Sequence, residues 1–91
     1  MSKLRVHNLK VKSQYFKDIL RGVKKFEVRR NDRNFKVNDL MVLEEYDSKN
    51  KGHTGKYINT EITYVLDDPE FCKEGYVVIG FEIRLDRGGV L

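Results

Sequence analysis

Three charged residues near the middle of the chain have the types and the spacing that a polar binding site requires. Lys24, Glu27 and Arg29 stand in the stretch GVKKFEVRRNDRNFKVNDL, residues 22–40. Glu27 and Arg29 are two residues apart, so in a strand their side chains share a face and can present a fixed acceptor and a fixed donor. The same spacing also fits an exposed ion pair, which contributes only about 0–1 kcal/mol. Alternation alone favours this simpler interpretation, and Lys24 can join the pair only if it precedes the regular strand.

A second polar cluster follows directly in the run RRNDRN. Arg29, Arg30 and Arg33 surround Asn31 and Asp32. Guanidinium groups suit phosphate oxygens and base edges, and an asparagine amide can bond a base through two hydrogen bonds. Asp32 would repel a phosphate, so its expected role is to orient an arginine or to accept a hydrogen bond from a ligand amino group. A solvated turn with internal pairing between Asp32 and the arginines is the alternative.

Hydrophobic periodicity indicates the elements that position these groups. It predicts five strands and one short helix after the first strand, with Ser13 as the helix N-cap and Gly22 as its end. In the second predicted strand, KKFEVRR, we expect Phe26 and Val28 to point into the core and the charged side chains to point outward. The aromatic residues on apolar phases, expected in the core, are Tyr15, Phe16, Phe26, Tyr64 and Phe81.

A chain of 91 residues has room for one hydrophobic core, which implies a single domain. So many strands in so short a chain predict an α+β fold in which a small mixed β-barrel hides its sheet edges. We expect the core of this domain to span about residues 4–85. Residues 86–91, DRGGVL, offer little to pack and are expected to fray.

The charge distribution favours a basic face. The formal net charge is +4, and the basic residues are concentrated between positions 3 and 36, whereas positions 44–82 are net acidic. A basic face fits nucleic acid, and it also fits an acidic protein partner or simple solubility.

Other residues narrow the chemistry and the location. Cys72 is the single cysteine, so a reducing compartment and a cytoplasmic location are the simplest expectations. We expect no membrane partner, because no apolar run approaches the roughly 20 residues of a membrane helix and the N-terminus lacks the apolar core of a signal peptide. His7 and His53 stand singly, which argues against a metal site, and we expect no cofactor.

The central motif resembles the ASCH domain family of the PUA-like superfamily. The hallmark of that family, G-x-K-x-x-E-x-R after a helix, reads here Gly22, Lys24, Glu27 and Arg29. The chain is also similar to a small ASCH-like subfamily of bacterial and phage proteins, which shares H-x-L-K near the start and F-E-x-R-x-N-D-R-x-F-x-V in the centre. Asn38 stands where that subfamily has glycine, and an asparagine can adopt the same left-handed turn. The resemblance covers about residues 6–83.

The resemblance implies a β-barrel with a cleft between barrel and helix, and relatives that bind RNA or a base taken out of its stack. On that basis we expect RNA or a nucleotide-like ligand, with Glu27 accepting bonds from a base edge. Arg29 and Arg33 would contact phosphate or carbonyl oxygens, and Asp32 would orient an arginine. The predicted site residues are Lys10, Lys24, Glu27, Arg29, Asn31, Asp32 and Arg33.

A second branch of the family implies catalysis. Some small ASCH-like proteins hydrolyse the acetyl amide of N4-acetylcytidine with a lysine, a threonine three residues later and an acid on a later helical segment. Lys24 matches the lysine, but Glu27 occupies the threonine position, and the chain between positions 66 and 76 is too short for the later helix. The alternative hypothesis is therefore an amidohydrolase in which Lys24 and Glu27 act as an acid–base pair.

Overall fold

The fold is one curled sheet of five strands with a short helix. A computed structural model describes residues 5–85, and the predicted frayed segment, residues 86–91, lies outside the described part. The elements are β1 (Val6–Lys12), α1 (Ser13–Leu20), β2 (Phe26–Arg30), β3 (Leu40–Asp47), β4 (Gly52–Leu66) and β5 (Tyr76–Ile83). The predicted five strands and the helix after the first strand are confirmed.

The sheet is mixed, and its two edges are the first two strands of the chain. The strand order is β1-β3-β4-β5-β2, with β1 parallel to β3 and the other neighbours antiparallel. The sheet curls into a half-barrel, which confirms the coarse prediction of a small mixed barrel-like fold. No helix within residues 5–85 is long and apolar enough to cross a membrane.

Helix α1 packs against the concave face of the sheet through Phe16 and Ile19, which are both buried. Its N-cap is Lys12, without a side-chain cap, so the predicted N-cap at Ser13 is wrong. The Ser13 hydroxyl instead donates to the main-chain oxygen of Tyr46 at 3.4 Å. Gly22 ends the helix as predicted, with φ +76° and an N–H that donates to Ile19 O at 3.0 Å.

The concave face carries the hydrophobic core. Alternate residues of β1, β3, β4 and β5 point into it, and α1 and the segment after β2 complete it. The buried apolar residues are Leu9, Val11, Phe16, Ile19, Phe35, Met41, Leu43, Ile58, Ile62, Val77, Ile79 and Phe81. Phe35 reaches this core from a loop in which Asn34 and Asn38 both adopt positive φ, 49° and 78°. The left-handed turn expected at Asn38 is therefore confirmed.

In strand β2 the buried and exposed faces are the reverse of the predicted ones. Glu27 points into the concave side and is buried, whereas Phe26 and Val28 are exposed on the convex side. The expectation that the apolar residues face inward is wrong, because the inner position offers Glu27 two cationic partners. Tyr64 is also exposed: a β-bulge between Ile62 and Tyr64 shifts the register with β5 and reverses the phase of the strand end.

Candidate functional site

Two arginine side chains bridge the gap between the sheet edges β1 and β2. Arg29 Nη2 donates to Lys10 O at 2.6 Å, and Arg33 Nη1 donates to Asn8 O at 2.9 Å. We call this line of contact, from Arg33 and Asn8 to Arg29 and Lys10, the seam. The carbonyls that β1 would offer to a further strand are thus satisfied by guanidinium groups, which closes the half-barrel through side chains instead of a main-chain ladder.

Arg5 supports the seam from the other direction. Its Nη1 donates to Asn34 O at 2.9 Å and its Nη2 donates to Arg33 O at 2.6 Å. Arg5 also lies 3.6 Å from the carboxylate of Asp39. The loop after β2 is therefore fixed to the start of β1 by Arg5, just before β1, and by Arg33, within the loop itself.

The side chains of Lys24, Glu27 and Arg29 meet at β2. Glu27 is only 5% exposed, and Lys24 Nζ lies 2.5 Å from its Oε1. Arg29 Nε and Nη2 lie 3.0 and 2.8 Å from its Oε2. Lys24 precedes the regular strand, as the prediction required for it to join the other two. The group of Lys24, Glu27 and Arg29 is called the charged triad below.

The burial of the charged triad decides between the two interpretations of its spacing. A carboxylate at this depth depends on its partners, because an unpaired buried charge is strongly destabilising. The interpretation as an exposed ion pair is therefore wrong. Two cations around one anion leave a formal excess of one positive charge, and this excess sits where the edge strands come together.

Aromatic rings flank the charged triad. Lys24 Nζ lies 5.5 Å from the ring centroid of Tyr15 on α1 and 4.9 Å from that of Phe26 on β2. Both rings are partly exposed, so the expectation that Tyr15 lies in the core is wrong. An ammonium group close to a ring face is attracted to it, and an accessible ring can stack on a nucleobase. The site thus combines cations with accessible rings.

Lys10 contributes its main chain to the seam, while its side chain lies elsewhere. The Lys10 ammonium is 4.8 Å from the Tyr46 ring centroid. Tyr46 makes an edge-to-face contact with His53, with the ring centroids 5.5 Å apart. Lys10, Tyr46 and His53 therefore form a neighbouring group on β1, β3 and β4, separate from the contacts that hold Glu27.

The residues after β2 form the other end of the site. Arg29, Arg30, Asp32 and Arg33 line a cavity of about 130 Å³ whose apolar wall includes Phe35. This volume corresponds to about four water molecules and is small beside a typical ligand pocket. The cavity therefore suits one small group, such as a phosphate, better than a whole nucleotide.

Asn31 and Asp32 are less closely involved than predicted. The Asn31 N–H donates to Gly75 O at 2.8 Å, which ties the loop to the segment before β5. Asp32 lies at the lip of the cavity, and its carboxylate is 4.0 Å from Arg33 Nε. That distance makes a weak pair, so the predicted orienting role of Asp32 stays a prediction.

His7 and Asp39 form a buried pair next to the seam, and the sequence analysis did not identify them as a pair. His7 Nε2 and Asp39 Oδ2 are 2.9 Å apart, and both residues are buried. The same carboxylate oxygen accepts the Lys36 N–H at 3.0 Å, and the His7 ring packs against Phe35. The alternation of His7 with Leu9 and Val11 was the signal that could have placed it inside.

A wide groove lies beside the start of α1. It measures about 510 Å³ and is lined by residues that include Lys12, Lys17 and Lys49, with Glu45 at its base. Thr54 Oγ1 donates to Glu45 Oε1 at 2.7 Å, so this buried carboxylate is already engaged. Within residues 5–85, no three His, Cys, Asp or Glu side chains come together in a group that could hold a metal ion.

Comparison with known proteins identifies a matching family and a similar phage protein. Residues 6–81 match the model of a family described as "Domain of unknown function (DUF3850)". An "Uncharacterized 12.9 kDa protein in GpA 3'region" of Escherichia phage P2 is 32% identical over 75 residues. That alignment covers 82% of this chain and 66% of the phage protein.

Proposed function

The chain belongs to the DUF3850 family, and we propose that it is a binding module for single-stranded RNA or a nucleotide-like ligand, which it holds along the seam. The observation that carries this proposal is the position of the Tyr15 ring beside the charged triad, at an edge bridged by arginines. Cations that follow a backbone and rings that stack on bases are the two parts of a single-strand binding surface.

The arginines of the seam have donors left for a ligand. A guanidinium group has five N–H donors, and the contacts of Arg29 to Glu27 and Lys10 use those on Nε and Nη2. Arg29 Nη1 can therefore donate to a phosphate oxygen without loss of the seam. Arg33 and Arg30 line the same small cavity, which gives one phosphate group more than one cationic partner.

Glu27 serves this function mainly by fixing the cations. Each carboxylate oxygen has two lone pairs, and each already accepts from one cationic side chain. A further bond from the amino group of a base would use a remaining lone pair. The half-barrel with its helix after β1, and the hallmark motif on an edge strand, support our assignment of the fold to the PUA-like type and the motif to the ASCH family.

Fluorescence anisotropy with a short labelled single-stranded RNA tests the proposal. We expect binding that weakens between about 50 and 200 mM salt, because two or three neutralised phosphates give a slope of log K against log salt of about −1.4 to −2.1. Arg33→Gln and Tyr15→Ala should each weaken binding about tenfold, whereas only Arg33→Gln should lower the slope.

Lys51→Asn provides the matched control for this experiment. Lys51 lies at the tip of the β3–β4 hairpin with φ 53°, a conformation that asparagine tolerates, and the change removes the same charge as Arg33→Gln. Binding should stay within twofold. Absence of binding at low salt, or equal effects of Lys51→Asn and Arg33→Gln, would contradict the proposal.

The contact between Lys24 and Glu27, at 2.5 Å, is the observation that favours the alternative of an amidohydrolase. In that case Glu27 would accept a proton from the water that attacks the acetyl carbonyl of N4-acetylcytidine, and Lys24 would donate a proton to the departing nitrogen. The C–N bond then breaks and releases acetate and cytidine. Following the ultraviolet spectrum of N4-acetylcytidine with the protein decides the question. A rate equal to that in buffer argues against hydrolysis, and a rate abolished by Glu27→Gln in a folded variant argues for it.

The proposed binding function assumes the cytoplasmic location that the single cysteine favours. Cys72 is half-buried and its thiol lies 3.4 Å from Leu66 O. The proposal assigns Cys72 no part in ligand binding.

A further inference from the structure

The convex face of β2, β5 and β4 carries apolar side chains where a solvent-facing surface is usually polar. Residues that lie opposite one another on these strands form two cross-strand rows. The first row is Phe26, Gly80 and Tyr64, and the second row is Val28, Val78 and Leu66. We call these two rows the convex patch. The middle of strand β5 is thus free of charged side chains on both faces, a pattern that is typical of strands covered on both sides.

The convex patch is large for an uncovered surface. Phe26 is 47% exposed, Val28 54%, Tyr64 64% and the nearby Phe71 73%. Since a fully exposed aromatic residue presents about 200 Å², these four side chains together present roughly 450 Å² of mostly apolar surface. Single exposed apolar residues are common, but a contiguous patch of this size often marks a site of protein interaction.

A groove beside the second row is large enough to take an aromatic side chain. It measures about 460 Å³ and is lined by Val28, Phe71, Cys72, Tyr76 and Val78, among others. Its walls are mainly apolar, and it opens towards the convex side. An apolar or aromatic group that protrudes from a partner can therefore be buried here.

The two ends of the convex patch carry opposite charges. At one end, the Arg30 guanidinium and the Lys73 ammonium lie 5.2 and 5.5 Å from the Tyr76 ring centroid. At the other end, β5 presents the exposed Glu82. Glu61, which lies opposite Glu82 on β4, is paired with Arg84, so Glu82 supplies the negative charge of this end. Tyr76 and Glu82 are six residues apart, or about 20 Å along a strand.

We propose that the convex patch binds a second copy of this chain in a twofold-symmetric dimer. The twofold axis lies in the plane of the interface. It runs perpendicular to the strands and crosses β5 at the level of Ile79. With this axis the cationic end of one copy meets the acidic end of the other, so Tyr76 with its two cations faces Glu82 of the partner subunit. An interface of this kind is self-complementary by symmetry.

The shapes of the rows are also complementary under this axis. The row of Val28 and Val78 lies over the row of Phe26 and Gly80 of the partner subunit. Val78 therefore projects towards Gly80 of the partner subunit, where no side chain occupies the space. Phe26 of the partner subunit lies over Val28, beside the groove of about 460 Å³.

The area of the patch sets the expected strength. A stable interface of standard size buries about 800 Å² on each partner, and the apolar side chains supply roughly half of that. The remainder is a polar rim of charged residues. We therefore expect a dimer weaker than one with a standard interface, with a dissociation constant in the micromolar range that sedimentation can detect.

Sedimentation equilibrium of the full chain between about 2 and 500 μM tests the proposal, because this range brackets a micromolar dissociation constant. We expect a reversible shift from the 10.8 kDa chain towards twice that mass. Tyr64→Thr should weaken the dimer at least tenfold, because threonine suits a strand but lacks the ring that covers Leu66 of the partner subunit. Tyr64→Phe keeps the ring and should leave the dissociation constant within twofold.

Exchanging the charges at positions 30 and 82 tests whether the partner on the convex patch is a second copy of this chain. Arg30→Glu and Glu82→Arg should each weaken the dimer about tenfold, and the double variant should restore it, because the opposite charges then meet again with their positions exchanged. Circular dichroism confirms that each variant is folded. A wild-type protein that sediments as a monomer at every concentration overturns the proposal, and so does a dimer insensitive to Tyr64→Thr or a double variant without rescue.

Discussion

At the scale of single residues, the buried carboxylate of Glu27 organises the candidate site. Lys24 and Arg29 approach its two oxygens within 2.5–3.0 Å, and their side chains are 17% and 24% exposed. The motif placed these three residues together correctly. The motif did not indicate that Glu27 is buried. The alternation of Phe26, Glu27 and Val28 assigns the inner face to the two apolar residues, and Lys24, which pairs with Glu27, lies outside the strand.

The charged triad yields a prediction about stability. Glu27→Gln keeps the shape of the side chain but leaves two neighbouring cations without their anion. Breaking a buried pair costs about 3–5 kcal/mol, and the partial exposure of both cations places the expected loss in the free energy of unfolding at the lower end of that range. Urea denaturation followed by circular dichroism measures it.

The control for Glu27→Gln is Asp18→Asn on the exposed face of α1. Asp18 pairs with Arg21 at 3.4 Å, and both side chains are well exposed. A surface pair of this kind contributes about 0–1 kcal/mol, so the variant should unfold almost as the wild type does. Equal losses for Glu27→Gln and Asp18→Asn would mean that Glu27 is not held as a buried ion pair.

At the scale of elements, the seam replaces one side of a sheet ladder. Strand positions were predictable because their apolar residues alternate, as in β5. The closure of the half-barrel at the seam was not predictable, because it depends on arginines that donate to main-chain carbonyls 19, 25 and 28 positions away in the sequence. The outward orientation of Tyr64 was not predictable either. The bulge after Ile62 inserts one residue, and a simple alternation of inward and outward residues does not allow for it.

The seam should therefore open when its arginine donors are removed. Arg5→Gln deletes two charged hydrogen bonds to the loop after β2, each of the kind that contributes about 1.5–3 kcal/mol. We expect faster hydrogen exchange in residues 31–39 and in β1, with β4 and β5 unchanged, because local opening does not require global unfolding. Mass spectrometry of peptide fragments measures this exchange.

Arg21→Gln is the matched variant for the exchange experiment. Arg21 is an exposed arginine in the turn after α1, and its side chain contacts Asp18 at the surface. It carries the same charge as Arg5 but does not contact the seam. If Arg21→Gln accelerates exchange in β1 as much as Arg5→Gln does, a general loss of positive charge explains the effect and the seam does not depend on Arg5.

At the scale of the whole molecule, strand β2 takes part in two surfaces. Its concave side carries Glu27 and Arg29 at the seam, and its convex side carries Phe26 and Val28 in the convex patch. The sequence indicated a basic half of the chain, and the seam draws its cations from that half. It did not indicate a second surface, because the apolar residues of β2 were assigned to the core.

If both proposals hold, a dimer carries two seams, and RNA long enough to reach both should bind more tightly than RNA that fills one. The second contact is then intramolecular, with an effective concentration that reaches the millimolar range for short spans, so a gain of at least tenfold in affinity is expected. Tyr64→Thr should abolish this gain and leave the affinity for short RNA within twofold, because it removes the dimer contact without changing a charge. Anisotropy titrations with short and long RNA at one salt concentration measure both values. A long-RNA advantage that persists in Tyr64→Thr would show that the two surfaces act independently.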